Sequence, residues 1–183
     1  MSETATATLP HPMTRSAPLD VEALWRHAAD DLYAYACTVL RDPAAAEDVV
    51  AVTFERALRR QGRFDRRRGD ARAWLFGIAR NAAIDELRRR KRGATLTHDP
   101  PDVAGPDAAD ELADRDEVAR RRSAVADAVA ALPGGDRELV ALKFHSGLTN
   151  AEIAGVLGIS TTNVGSRLHR VLNRLREVCR EAV

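Results

Sequence analysis

Apolar residues recur along this chain at intervals of three and four, the spacing of one face of an α-helix. From Asp20 onward, Val21, Leu24, Ala28, Leu32, Tyr35, Ala36 and Val39 share such a face. Asp42-Pro43 predicts a stop and a new start, because Asp caps a helix and Pro is tolerated at its first position. Ala46, Val50, Phe54, Ala57 and Leu58 mark the buried side of that second helix. A basic loop from Arg59 to Arg72 follows, with Gly62 and Gly69 as breakers. The next helix opens near Asp70 and holds Trp74, Leu75, Ile78 and Ala82 on one side. Phe76, Ile84 and Leu87 make it apolar over most of its circumference, which predicts a first half central to its domain. It ends in the run Arg88-Arg89-Arg90-Lys91-Arg92. No segment alternates with the period of a strand, so the expected fold is all-α.

Residues 148–176 carry the densest pattern. Thr149 and Glu152 have the spacing of a capping box, and Ala151, Ile153, Ala154 and Leu157 form the expected buried side of a short helix. Gly158 breaks it, Ile159 plugs the core, and Ser160 or Thr161 caps the next helix. There Val164, Leu168, Val171, Leu172 and Leu175 recur at helical spacing and face inward. Ser166, Arg167, His169, Arg170, Asn173 and Arg174 are left pointing out. This is a helix-turn-helix whose second helix suits the major groove of DNA. A plain helical hairpin with a solvated charged face is the alternative; capping box, Gly turn and basic second helix together favour the first reading.

The net charge of +1 over 183 residues hides an uneven distribution. Residues 19–92 carry 16 Lys and Arg against 12 acids, residues 93–118 one Arg against eight acids, and residues 119–183 ten against six. Two basic blocks are thus joined by an acidic stretch, which with Pro100, Pro101 and Pro106 reads as a flexible linker. The division expected is two small helical domains, 19–92 and 119–183, with linker 93–118 and a disordered extension at 1–18. All but two of the 28 basic residues are Arg, a side chain that makes forked contacts to phosphate and guanine that Lys cannot. Cys37 and Cys179 read as reduced thiols in separate blocks. No apolar run has membrane-spanning length and no signal peptide is evident at the N-terminus, so the expected location is the cytoplasm.

Enzyme chemistry finds no support. The five His residues are scattered, no Cys/His set has zinc spacing, and neither a phosphate loop nor a nucleophile elbow is present. Neither metal nor cofactor is expected. The basic loop is better material: Arg63, Arg66, Arg67, Arg68 and Arg72 flank the start of the central helix, with Arg80, Asn81 and Arg88 further along. Such a surface can track a phosphate backbone, and Asn81 offers a donor and an acceptor to a base edge. A solvated surface that keeps an Ala-rich chain soluble is the bland alternative.

Four segments together resemble the sigma-70 family of bacterial RNA polymerase sigma factors, in its two-domain extracytoplasmic-function (ECF) group. Residues 42–50 through Thr53-Phe54 look like region 2.2, and residues 74–88 like regions 2.3–2.4. Leu132-Pro133, with Arg137-Glu138 and Leu142, looks like region 4.1, and the helix-turn-helix like region 4.2. The resemblance implies a promoter-specificity subunit for a stress or envelope response, with core RNA polymerase and promoter DNA as partners and an anti-sigma factor as a further one. It places the β′ clamp helices on the second helix, at Asp48, Ala51, Val52 and Glu55. It assigns the single-stranded -10 element to Arg66, Arg67, Arg68, Arg72, Arg80, Asn81 and Arg88. The duplex -35 element falls to Thr161, Asn163, Gly165, Ser166, Arg167, His169, Arg170 and Arg174, with the last block resting on the β flap. The acidic linker would thread the polymerase between them.

The chain departs from the family pattern in three places, one of them the loop at 63–72, which matches no specific promoter class. Ala51 and Val52 stand where Gln and an acid are usual, and Gly165 stands where a basic residue is usual. Asp85, a family hallmark, is expected to be a partly buried acid paired with an Arg. An adaptor that only binds polymerase would lack a basic recognition helix. A stand-alone helix-turn-helix regulator would need a sensing domain or dimer interface that residues 19–92 do not supply.

Overall fold

The computed structural model describes residues 19–96 and 113–181, and within them every regular element is helical. Three long helices, α1 (Val21–Leu40), α2 (Pro43–Arg60) and α3 (Ala71–Leu96), pack on one another to form the first unit. Two 3₁₀ turns, Gln61–Arg63 and Arg66–Arg68, link α2 to α3. The second unit holds α4 (Ala113–Ala130), α5 (Gly134–Phe144), α6 (Asn150–Leu157) and α7 (Thr161–Glu181). The expected extension at 1–18 and the middle of the linker lie outside the described residues. The linker's two ends do not: residues 93–96 prolong α3, and residues 113–118 belong to α4.

Local chemistry sets the helix boundaries, and the stop and restart at Asp42-Pro43 forms as the sequence predicts. Asp20 accepts the amide of Ala23 at 2.9 Å to start α1. Arg41, at φ 56°, turns the chain left-handed and sends its amide back to the Cys37 carbonyl. Asp42 then accepts the Ala45 amide at 3.0 Å while Pro43 opens α2. The same carboxylate receives Arg90 Nη2 at 2.9 Å, which fastens the start of α2 to the far half of α3. The Ala45 amide first, and Arg90 with it, hold Asp42 below the usual carboxylate range.

The stripes read from the sequence are buried on α1, α2 and the first half of α3, with exceptions at their margins. Leu58 is 54% exposed at the last turn of α2, and Leu87 is 39% exposed on α3. Ala151 is exposed on the first turn of α6, leaving Ile153 and Ala154 as its buried residues. Each sits at an edge of its stripe.

The larger departure is between the units. α1 packs on α5 and α3 on α6, so the apolar floor of the first unit and that of the second form one cluster. Tyr35, Phe76, Leu139, Leu142, Ile153 and Val164 all belong to it and are fully buried. Leu132, Val140 and Val171 form a smaller cluster at the outer end of the second unit.

Candidate nucleic-acid interface

The recognition helix is positioned by backbone chemistry at each end of its turn. The Thr149–Glu152 box is closed, with Glu152 N donating to Thr149 Oγ1 at 3.3 Å and Thr149 N to Glu152 Oε2 at 2.8 Å. Gly158 takes φ 70°, a region that favours glycine, and returns its amide to the Ala154 carbonyl. Ser160 Oγ accepts the Asn163 amide at 3.2 Å, so Ser160 and not Thr161 caps α7. Val164, Leu168 and Val171 anchor α7 inward. Thr161, Asn163, Ser166, His169, Arg170 and Arg174 are exposed, as a groove-reading face requires.

Several of these polar groups are already oriented. The Ser166 hydroxyl donates to the Thr162 carbonyl at 2.9 Å, leaving its lone pairs to accept. Asn173 Nδ2 lies 3.1 Å from His169 Nε2; with the amide donating, the free imidazole N–H is on Nδ1. Gly165 has no atom within 4 Å of where a Cβ would stand, so the helix passes there with open space beside its backbone. Arg167 is held on the protein's own surface. Its Nε and Nη2 donate to Asp136 Oδ1 at 3.1 and 2.7 Å, tying α7 to α5 instead of reaching outward.

On the first unit, Arg66 and Arg67 are exposed on the second 3₁₀ turn, whose Asp65 accepts the Arg67 amide; Arg68 closes that turn. Gly69 follows at φ 153°, a conformation side-chain-bearing residues rarely adopt, and passes the chain into α3. Asn81 and Arg88 are exposed further along. Arg66, Arg67, Asn81 and Arg88 are thus each open to solvent.

Arg72 and Arg80 do not join them. Arg72 turns across the gap between units, donating from Nε to the Ser146 carbonyl at 2.5 Å and from Nη1 to the His27 carbonyl at 3.1 Å. Its Nη2 meets the Asp31 carboxylate and lies 3.5 Å from the His145 carbonyl, while the guanidinium carbon stands 5.4 Å over the Phe76 ring. Arg80 Nε stands 3.0 Å from Glu138 Oε1 on α5, but at an angle that completes no hydrogen bond. The reason is helical register: residues 72, 76 and 80 fall on one stripe. Phe76 is buried at its middle, so the flanking guanidiniums follow it into the interface.

Asp85 does pair with an arginine, Arg56, at 3.3 Å from both terminal nitrogens, yet its carboxylate is 57% exposed and not partly buried. Its neighbour Glu86 is the enclosed acid, 13% exposed, accepting from Arg89 at 2.7 and 2.8 Å and from Arg90 at 2.8 Å. Those bonds, Arg89's first, lower its pKa.

The face read as the polymerase contact lies on α2, where Asp48, Ala51 and Glu55 are exposed and Val52 is half-buried against the core. Glu55 pairs with Arg59 at 2.7 Å. Beside Ala51 runs an open groove of about 280 Å³ between α1 and α2, lined by Trp25, Tyr33 and Val50 with Asp30 and Glu47 at its edge. Residues 25, 29 and 33 form a second i, i+4 stripe on α1, a signal present in the sequence beside the core stripe. Cys37 is a free thiol, and among the described residues no group of three His, Cys, Asp or Glu side chains is placed to hold a metal ion.

The profile of sigma-70 region 2 matches residues 24–93, and that of sigma-70 region 4 matches residues 122–175. The chain is 35% identical over 165 residues to the ECF RNA polymerase sigma factor SigL of Mycobacterium tuberculosis, covering 88% of this chain and 89% of that one. It is 33% identical over 133 residues to the ECF sigma factor RpoE of Cereibacter sphaeroides, covering 72% and 68%. Among solved structures, RpoE of Bartonella quintana in complex with the anti-sigma factor NepR superposes with TM-score 0.72 at 26% identity, covering 88% of this chain and 97% of that one. CnrH in complex with the cytosolic domain of CnrY gives 0.60 at 27% identity, covering 86% of each. The chain belongs to the sigma-70 family, in its extracytoplasmic-function group, and is a transcription initiation factor for RNA polymerase.

Proposed function

We propose that the first unit, residues 19–92, docks on the β′ clamp helices of core RNA polymerase and takes the -10 element as single-stranded DNA, while the second, residues 119–183, reads the -35 element as duplex and rests on the β flap. The observation that carries this division is the exposed polar face of α7, held by a capped turn and a buried apolar stripe. On that face Ser166, His169 and Arg170 read bases, while Arg174 meets phosphate. Arg167 acts on the protein's own surface, through Asp136. In the first unit Arg66, Arg67, Asn81 and Arg88 form the strand path in the arrangement seen here, and Asp48 with the apolar surface of Ala51 meets the clamp.

No described helix is long and apolar enough to cross a membrane, and a partner of RNA polymerase works in the cytoplasm. The structural neighbours named above were solved with anti-sigma factors; by that likeness an anti-sigma factor holds this chain until an envelope or stress signal releases it. The decisive experiment is in vitro transcription with purified core polymerase on genomic fragments of the source organism. Discrete start sites that depend on the added chain are expected, and their spacing from protected -10 and -35 segments tests the division of labour. Binding to core without any factor-dependent start would leave an adaptor instead.

A further inference from the structure

We propose that Asn173 and Arg176 are positioning residues for base reading: bonded in series behind His169, they fix its imidazole as a hydrogen-bond donor through Nδ1, so that it selects acceptor edges in the major groove and rejects cytosine. The inference rests on the assignment of the -35 duplex to α7 and adds which atom of that helix discriminates, and between which bases.

The series has one solution. Arg176 Nη1 lies 2.8 Å from Asn173 Oδ1. A guanidinium has donors and no acceptor, so the oxygen of the Asn173 side chain, and not its nitrogen, faces Arg176. The amide nitrogen is thereby turned to His169 Nε2, 3.1 Å away. An amide nitrogen only donates, so Nε2 carries the lone pair and Nδ1 the proton. Left to water, the neutral ring of histidine carries its proton mainly on Nε2. The series therefore holds the less common form.

The place of His169 makes that choice matter. Residues 165, 169 and 173 lie four positions apart on one stripe of α7. Gly165 leaves the stripe open on one side of His169, with nothing within 4 Å of where its Cβ would stand, and Asn173 is bonded on the other. His169, Asn173 and Arg176 are all exposed, so the bonds between them, and not core packing, orient the ring. In the major groove guanine shows the acceptors N7 and O6, adenine N7 and thymine O4, while cytosine shows only its N4 amine, a donor. An Nδ1–H meets the first three and is left unpaired against the fourth. A ring with its proton on Nε2 has a lone pair at Nδ1 instead and accepts from cytosine. Neither Asn173 nor Arg176 has to touch DNA for this effect. Phosphate contacts, by contrast, carry no sequence information.

The test compares the wild-type full chain with Asn173→Ala, Arg176→Ala and Arg176→Lys, and His169→Gln identifies the signals of this ring. Nitrogen-15 NMR of histidine-labelled protein at about pH 8, above the ordinary histidine range, reads the tautomer. Holoenzyme reconstituted with core RNA polymerase selects from a fully randomised duplex library, which reads base preference. The wild type is expected to show the proton on Nδ1 and to disfavour cytosine about tenfold at one position, as for one donor left unpaired. In Asn173→Ala the proton should move to Nε2 and that discrimination fall to about twofold, with the rest of the profile unchanged. Arg176→Ala frees the amide to turn its oxygen to the ring and should move both readouts the same way; Arg176→Lys, still a donor only, should keep both. A wild-type ring protonated on Nε2, or a tautomer unmoved in Asn173→Ala, overturns the series. A tautomer that changes while the library profiles superimpose overturns the reading role and leaves the -35 assignment standing. A wild type that selects no duplex sequence overturns the -35 assignment itself, whatever the tautomer.

Discussion

Replacing Arg72 by alanine separates a structural bolt from a DNA contact, and the geometry sets the size of the effect. The guanidinium meets three backbone carbonyls and the Asp31 carboxylate. Its pair with Asp31 is modest, because that carboxylate is 49% exposed and an exposed pair contributes about 1 kcal/mol at most. The Ser146 carbonyl matters more: Ser146 is fully buried, and a buried acceptor left unpaired costs about 1–3 kcal/mol. The His27 carbonyl belongs to an exposed residue, so water can replace its lost donor. The cation over Phe76 adds about 0.5–1 kcal/mol. These contributions overlap, and a net loss of about 3 kcal/mol is expected for Arg72→Ala. With a urea slope of about 2 kcal/mol per molar, the unfolding midpoint should fall by about 1.5 M. Arg72→Lys keeps the charge but not the planar fork, and should recover less than half of the loss. Arg67→Ala, on an exposed turn, should move stability by no more than about 0.5 kcal/mol while lowering the salt dependence of DNA binding. The assay is urea denaturation followed by far-ultraviolet circular dichroism, with DNA binding measured in parallel. An Arg72→Ala protein that unfolds with the wild type yet no longer binds DNA would falsify the structural role.

The remaining expectations concern the other surfaces. Asp48→Arg reverses a charge on the exposed face of α2 and should weaken core polymerase binding by about 2–5 kcal/mol; an unchanged pull-down removes α2 from the clamp contact. Arg170→Ala should cost about 1–3 kcal/mol on a matched -35 duplex and relax preference at one base pair, read by selection from a randomised duplex library; a wild-type profile would displace the register assigned to α7. Burial lowers the pKa of His145, with Asp31 pulling it back up. A histidine whose folded pKa is depressed stabilises the structure above its unfolded value of about 6.5 and loses that contribution as pH falls through the folded one. Urea midpoints should therefore begin to fall below about pH 6.5, before the carboxylates Asp42 and Glu86 give up theirs further into acid. His145→Gln should remove the first step alone, and a single acid transition in the wild type would exclude His145 as its source.

What was legible in the sequence is what local chemistry decides. The caps at Asp20, Asp42, Thr149 and Ser160 depend on residues within three positions of one another; those at Asp42 and Thr149 form as read, and the structure chooses Ser160 from the two candidates for α7. The inward stripes of α1 and α7 depend only on helical period. The acids that matter depend on distance in space. Glu86 and Asp42 share Arg90 across 48 residues of chain, and Glu138 meets Arg80 from another unit. Nothing in the spacing of Asp85-Glu86 tells which carboxylate will be enclosed, since adjacent helical residues differ in direction by about 100°.

The arginines show the limit most clearly, because one side-chain type performs two tasks on the same helix. A basic residue in a loop reads as a phosphate contact by default, and Arg66 and Arg67 are exposed as such a contact would need. For Arg72 and Arg80 the deciding fact is their shared stripe with Phe76, whose ring packs edge-on against Tyr35 at 5.6 Å between centroids. A guanidinium one turn from a buried ring is carried to whatever buries that ring, and here the ring belongs to the cluster that both units share. An aromatic residue between two arginines at i, i+4 and i+8 is thus a sequence sign of an interface. On the other unit the acid that faces this stripe is Glu138 of α5, 14% exposed and 3.0 Å from Arg80 Nε.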